Sequence, residues 1–230
     1  AGLILGEPID VDSGHARFVW RINPERGMLL SAPHPLSDAG TLAQSTILFQ
    51  ELGARLLVLS GTHRCVNSAE SACDGTTSTC GGNKSPFKES DMAHVTKSMF
   101  QVVHERFTDS LPNDWVVSVS GMGQEGISLS SGKFGDIQSS TAVANTFNAF
   151  VAAYPDAYIT TCNTFEGAFY EQRFCGTTNT QGRYVNGSPE PCQEPAALQS
   201  GRFVHLEQSK AFRDDPLGVA EVLKDAWDTP

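Results

Sequence analysis

The chain has no apolar run near the ~20 residues that a membrane-crossing helix needs, so its sequence offers no span to place in a bilayer. It is also short of cations. Only 16 Lys and Arg stand against 26 Asp and Glu, a net charge of −10, which argues against a clustered basic surface for nucleic acid or anionic membrane. No Cys-x-x-Cys pair occurs, so redox and zinc-ribbon spacings are missing. No Gly-x-Ser-x-Gly occurs either, which weakens any reading of Ser60 or Ser120 as a nucleophile beside a His. Internal repeats and Pro/Gly/Ser-rich linkers are absent, so residues 1–230 are expected to form one domain.

What is present fits a globular protein: 40% hydrophobic and 18% charged residues over 230 positions, enough for one sizeable core. The opening Ala1-Gly-Leu-Ile-Leu-Gly has neither the basic start nor the length of a signal peptide and reads as a mature end left after cleavage. Six cysteines, Cys65, Cys73, Cys80, Cys162, Cys175 and Cys192, lie in loops or at strand ends. Such places suit disulfides better than buried thiols, which predicts a secreted or periplasmic protein with no free thiol. The preferred pairing is Cys73–Cys80, Cys175–Cys192 and Cys65–Cys162.

Along the chain, residues 1–15 show no periodicity and are expected on the surface. Arg17–Ile22 alternates like a half-exposed strand, and 42–52 keeps a helical period closed by Gly53. Arg55–Ser60 and Trp115–Ser120 are continuous apolar runs, the pattern of strands buried on both faces. Ser90 reads as an N-cap with Asp91 in the first turn, followed by a core stripe of Met92, Val95, Met99, Val102, Val103 and Phe107. Helix is expected over 142–154 and 217–227, strand over 157–161 and 202–207, and loop over 162–200. This alternation predicts an α/β fold: a mostly parallel mixed sheet flanked by helices, with disulfide-linked loops.

The chemistry-bearing stretch is Met28-Leu-Leu-Ser-Ala-Pro-His34-Pro-Leu-Ser-Asp38-Ala-Gly-Thr41. A strand delivers a His and, four residues later, a carboxylate into a loop where α/β sheets bind ligands. Both are ordinary Zn²⁺ ligands; alternatively Asp38 caps the next helix. His63 and Arg64 follow the next strand, and Ser120 ends another. His205 and Glu207 share one face of the last strand. Glu207 interrupts an apolar run, so it faces a cleft, a metal or an arginine such as Arg202 or Arg213.

Taken in order, Ser-Ala-Pro-His34, His63-Arg64-x-x-Asn67, Val-Ser-Val-Ser120-Gly-Met-Gly and Val-His-Leu-Glu207 with Arg213 resemble the zinc-carboxypeptidase-like amidohydrolases. N-formylglutamate amidohydrolase and the phage-type poly-γ-glutamate hydrolases are the relatives meant. The resemblance implies an α/β fold with one Zn²⁺, with His34 and Asp38 as its first two ligands. It makes Glu207 the general base, and Arg64, Asn67 and Arg213 binders of a small-molecule or peptide-like substrate. It also implies a third ligand where this chain has Ser120 and the family a His. Ser is a poor zinc ligand, so His63 or His205 is expected to substitute, or else the scaffold is a catalytically impaired binding protein. His94 and His104, on the helix, read as surface or core residues. The activity implied is hydrolysis of an N-acyl-amino-acid or γ-glutamyl amide.

Overall fold

Strand and helix alternate as expected, and the computed structural model, which describes residues 2–6, 16–139 and 141–228, arranges them as one sheet between two layers. Strands β1 (Leu3–Gly6), β2 (Arg17–Arg21) and β3 (Arg26–Ala32) precede helix α1 (Thr41–Glu51) and β4 (Ala54–Leu59). The following loop carries β5 (Thr76–Thr77) and β6 (Ser85–Pro86), then a 3₁₀ turn at Met92–His94 and helix α2 (Met99–Ser110). Next come β7 (Trp115–Gly121), β8 (Ile127–Ser130), β9 (Gly135–Asp136), α3 (Ala142–Ala153), β10 (Ile159–Thr161) and β11 (Asn163–Thr164). The chain continues through α4 (Thr180–Val185), β12 (Phe203–Gln208), α5 (Lys210–Arg213) and α6 (Pro216–Asp228).

Eight strands form the main sheet in the order β1, β2, β4, β3, β7, β12, β8, β10. The central four, β4, β3, β7 and β12, are mutually parallel, so their carboxyl ends share one edge. The pairs β1–β2, β2–β4 and β12–β8 are antiparallel. The sheet is thus mixed: a parallel centre, an antiparallel β1–β2–β4 flank, and on the other side β8 antiparallel to β12 but parallel to the edge strand β10.

Strand alternation sorts the side chains into two faces. Leu30, Leu57, Val117, Val119, Leu129, Val204 and Leu206 pack with residues of α1, α3 and α6 in the larger core. On the other face Leu29, Val58, Val116 and Phe203 pack with Met92, Phe100 and Phe107. That second face changes character along the strands. In register beyond its apolar half lie Ser31, Ser118, His205 and Ser130, then Ser120, Glu207 and Ser128. Burying so many polar groups on one half-face is costly unless they are paired or used.

Several expectations are corrected. The Ser90 helix does not form as one piece. A 3₁₀ turn ends at His94, Val95 is extended, and α2 starts afresh because the Ser98 side chain accepts the Gln101 N–H. The stripe shifts with it: Met99 and Val102 are exposed, while Phe100, His104 and Phe107 are buried. The loop over 162–200 contains α4, capped by Asn179. Leu3–Gly6 forms an edge strand whose Leu3 and Ile4 are exposed, in keeping with the expected surface position, and the rest of that expectation, 1 and 7–15, lies outside the described residues.

All six cysteines are paired, as expected, but with other partners: Cys65–Cys80, Cys73–Cys192 and Cys162–Cys175. Tertiary contacts decide. The Asp74 N–H donates to the Cys192 carbonyl and Arg183 pairs with Asp74, bringing Cys73 to Cys192. The segment after β10 folds back onto the sheet, which brings Cys175 to Cys162.

Candidate metal centre

The shared carboxyl edge gathers the chemistry. β3 ends in Ala32-Pro33-His34, β4 leads to His63-Arg64, β7 ends at Ser120-Gly121, and β12 carries His205 and Glu207. The loop before α2 reaches this edge and adds Asp91 and His94, two residues from the stretch whose pattern predicts a helix.

Asp91 is the hub. Its Oδ1 lies 2.8 Å from His34 Nε2 and 2.9 Å from His94 Nδ1. Its Oδ2 accepts from Arg64 Nε and Nη2 at 3.0 and 2.6 Å. All three candidate ligands, His34, Asp91 and His94, offer donor atoms within 4.8 Å of one another. Asp91 is fully buried, and the two histidines are 6% and 9% exposed. Outside this cluster, His94 Nε2 lies 3.1 Å from Thr178 Oγ1 and its ring stacks on Phe87 at 3.4 Å. Ligating imidazoles are oriented by such outer partners.

His34 stands between two carboxylates, because its Nδ1 is 3.6 Å from Asp38 Oδ2. Burial alone lowers its pKa, but Asp91 and then Asp38 outweigh burial and the nearby Arg64, raising it to about 9. Burial raises Asp91, yet His34 and His94 hold it well below the usual carboxylate range. Asp38 is likewise held low, against burial, by His34 and by the Gly121 N–H it accepts at 3.0 Å. For His94, burial prevails over Asp91 and the pKa falls. In the metal-free protein, protons on His34 Nε2 and His94 Nδ1 satisfy Asp91 Oδ1. A divalent cation fits the same convergence of two imidazoles and one carboxylate, at the cost of a proton from His34.

Glu207 lies on the same sheet face, paired in register with Ser120. Its Oε2 is buried without a partner, and its Oε1 is 3.6 Å from His205 Nε2. Burial, then Asp38, raises its pKa to about 8, against the opposing influence of His34, Arg64 and Arg213.

The structure brings His34, Asp38, Arg64, Ser120, His205 and Glu207 to one edge. Asp38 is bonded to Gly121, directly beside Ser120. The expected substrate binders are engaged elsewhere. Arg213 donates to the carbonyls of Ala39, Met122 and Gln208. Arg64 clamps Asp91, and Asn67 is exposed, its Oδ1 accepting from Ala69 N–H. His63 is exposed and its Nδ1 accepts from the Cys65 N–H. Asp91 and His94 left a signal in the sequence: at i, i+3 on a helical turn two side chains face the same way.

No protein-family model and no curated protein matches the chain. Among solved structures it is similar to an apo, zinc-free form of YndL, with TM-score 0.52 and 10% identity over 96% of this chain and 93% of that one. It is also similar to a candidate metallopeptidase from Shewanella amazonensis (TM-score 0.48, 13% identity, 97% and 85% covered). A second, from Shewanella denitrificans, gives TM-score 0.42 and 11% identity over 98% and 82%. At such identities the likeness is one of fold, carried by YndL.

Proposed function

We propose that this protein is a metal-dependent hydrolase, and more narrowly a secreted zinc amidohydrolase of the N-acyl-amino-acid or γ-glutamyl type. The observation that carries the reading is the convergence of His34 Nε2 and His94 Nδ1 on Asp91 Oδ1, with the buried carboxyl of Glu207, its Oε2 without a partner, at the same edge of the sheet. Three disulfides fit an oxidising compartment.

His34, Asp91 and His94 would hold the ion, which when bound supplies Lewis acidity to a scissile carbonyl and to water. The chain's own residues do the rest. Arg64 occupies Asp91 Oδ2 and leaves Oδ1 to face His34 and His94. Glu207, whose proton affinity is tuned by burial to about pH 8, takes the proton of the attacking water and returns it to the leaving nitrogen. A cleft of about 980 Å³ is lined by Thr62, Asn67, Ser90, Met92 and Lys97 among others, but by none of His34, Asp91, His94 and Glu207.

A second reading has support from one spacing. His34 Nδ1 and Asp38 Oδ2, 3.6 Å apart, are wider than a hydrogen bond and suit two ligands on one ion, with Ser120 in the third place. On that arrangement the protein binds metal weakly and serves as a binding protein. Elemental analysis of the purified protein, with a panel of N-acyl amino acids and γ-glutamyl peptides, tests both. One tightly held Zn²⁺ with amide hydrolysis supports the enzyme. A metal-free, inactive protein that still binds such amides supports the relic.

A further inference from the structure

Beyond β11 the chain turns back and lays Arg173-Phe174-Cys175-Gly176 over the polar half of the sheet. Three consecutive carbonyls are docked there. Ser128 Oγ donates to the Arg173 carbonyl and Ser130 Oγ to that of Cys175. Between them, His205 Nδ1 lies 3.1 Å from the Phe174 carbonyl. The Cys162–Cys175 disulfide closes this strap at its base. Its backbone is forced to fit: Phe174 takes φ 53, a left-handed value rare without glycine. Gly176 lies so near the His205 ring that a Cβ there would come 2.8 Å from Cγ. A segment built this tightly against one imidazole has that imidazole as its object.

A carbonyl oxygen can only accept, so the contact with Phe174 requires the His205 proton on Nδ1. Burial holds the ring neutral, with a pKa near 4, against the Phe174 carbonyl and Asp38; His34 and His94 act with burial. The second nitrogen, Nε2, is then a bare lone pair 3.6 Å from Glu207 Oε1. The other Glu207 oxygen is buried and has no partner. The charged groups bearing on this pair are Asp38, His34, His94, Arg64 and Arg213.

We propose that His205 is a positioning residue for Glu207: the strap fixes its proton on Nδ1, so that Nε2 presents a lone pair toward the Glu207 carboxyl, 3.6 Å away, and sets which way its acid proton points. This rests on the reading of Glu207 as the proton-transferring group, whereas the tautomer it requires does not. The Cys162–Cys175 disulfide, on this view, holds the Phe174 carbonyl in place and thereby sets the tautomer.

Nitrogen-15 NMR of the histidine rings in the full chain at neutral pH tests the proposal. Among the described histidines three rings are expected in the Nδ1–H form: His205, His94, whose Nδ1 faces Asp91 Oδ1 at 2.9 Å, and His104, whose Nδ1 lies 2.7 Å from the Phe100 carbonyl. The His205 signals are assigned by their loss in His205→Leu. In the double variant Cys162→Ser, Cys175→Ser, His205 should revert toward the Nε2–H form while His104 is unchanged. If that variant does not fold, Gly176→Ala, which drives a Cβ against the ring, should give the same reversion. An Nε2–H form of His205 in the native chain, or an unchanged tautomer in the folded strap variants, overturns the proposal. In the hydrolysis assay, His205→Leu should lower kcat roughly 10–100-fold with KM within about twofold. His205→Gln, whose amide oxygen restores an acceptor, should recover part of the loss; an unchanged kcat in His205→Leu overturns the proposal. If the chain cleaves no amide, the reading of Glu207 falls, and the tautomer result still decides the strap.

Discussion

His34 and His205 sit at the same edge of one sheet, with only β7 between their strands, and both are almost wholly buried. Burial pushes both imidazoles toward neutrality, yet they end far apart: His34 at about 9 and His205 at about 4. The difference is in what faces them. His34 has a carboxylate at each nitrogen, Asp91 and Asp38. His205 has a backbone carbonyl on one side and the buried carboxyl of Glu207 on the other. A neutral dipole does not repay the loss of water around an imidazolium, whereas two carboxylates do. One region is therefore built to hold a cation, whether proton or metal, and the other to keep charge out.

The largest effect is expected where the cation site is broken. Asp91→Asn keeps the shape but strands the Arg64 guanidinium and the His34 imidazole in a buried site. Removing one partner of a buried ion pair costs about 3–5 kcal/mol. Bound Zn²⁺ should be lost with it, measured by elemental analysis beside chemical denaturation. His34→Ala should also lose the metal; the ring is buried, so this change is not confined to an exposed loop. If Asp91→Asn keeps its metal and Asp38→Asn loses it, the ion sits on the Nδ1 side of His34.

Glu207→Gln breaks the other region. Hydrolysis should fall by roughly 10²–10⁴-fold, while the fold gains at alkaline pH. The sign follows from the raised pKa: stability tied to the protonated carboxyl is complete below the usual value of 4.5 and lost as pH rises through about 8. The amide cannot ionise, so unfolding of the variant should lack that loss. Equal alkaline sensitivity in both proteins would remove Glu207 from the charge-excluding region.

Much of this comparison was legible in the sequence. Buried strands announced themselves as continuous apolar runs, and a His, a Ser and a Glu at strand ends had to share an edge once those strands were parallel. Asp91 and His94 share a face by their i, i+3 spacing, but the apolar positions Met92, Val95 and Phe107 mimic one continuous helical stripe and outweigh that signal. Nothing local showed that Ser98, rather than Ser90, caps the helix. The surroundings of Arg64 and Arg213 were not legible for a related reason: a guanidinium in sequence looks like a substrate clamp, and only tertiary contact reveals that its donors reach Asp91 or three carbonyls. Cysteine pairing failed because it depends on how loops fold over the sheet, which spacing does not encode.

A smaller effect is expected from supplying the imidazole that the family resemblance places at Ser120. Asp38 is already bonded to Gly121, so Ser120→His would set a ring beside the His34–Asp38 pair. Zn²⁺ affinity should rise at least about tenfold, roughly 1.4 kcal/mol, as read by competition with a chelator. An unchanged affinity would show that β7 is misaligned with the family.

The effect smallest at neutral pH concerns the neutral histidines and separates the two regions by pH alone. His104 resembles His205: its Nδ1 faces the Phe100 carbonyl, its Nε2 is buried without a partner, and burial lowers its pKa to about 4. A neutral base with a lowered pKa contributes stability above its usual value of 6.5, and that contribution is lost as pH falls toward about 4. Replacing His104 by Leu removes both the proton uptake and the unsatisfied nitrogen, so stability at neutral pH should change by less than about 1 kcal/mol. The loss on acidification should shrink by an amount on the order of 3 kcal/mol at most. His34 behaves oppositely in the metal-free protein: its contribution is whole below pH 6.5 and disappears as pH rises through about 9. Urea unfolding of both variants across this range should therefore show His104→Leu flattening only the acid limb and His34→Ala only the alkaline one. If His34→Ala also flattens the acid limb, its imidazole is neutral in the fold, and the carboxylates around it do not hold a cation.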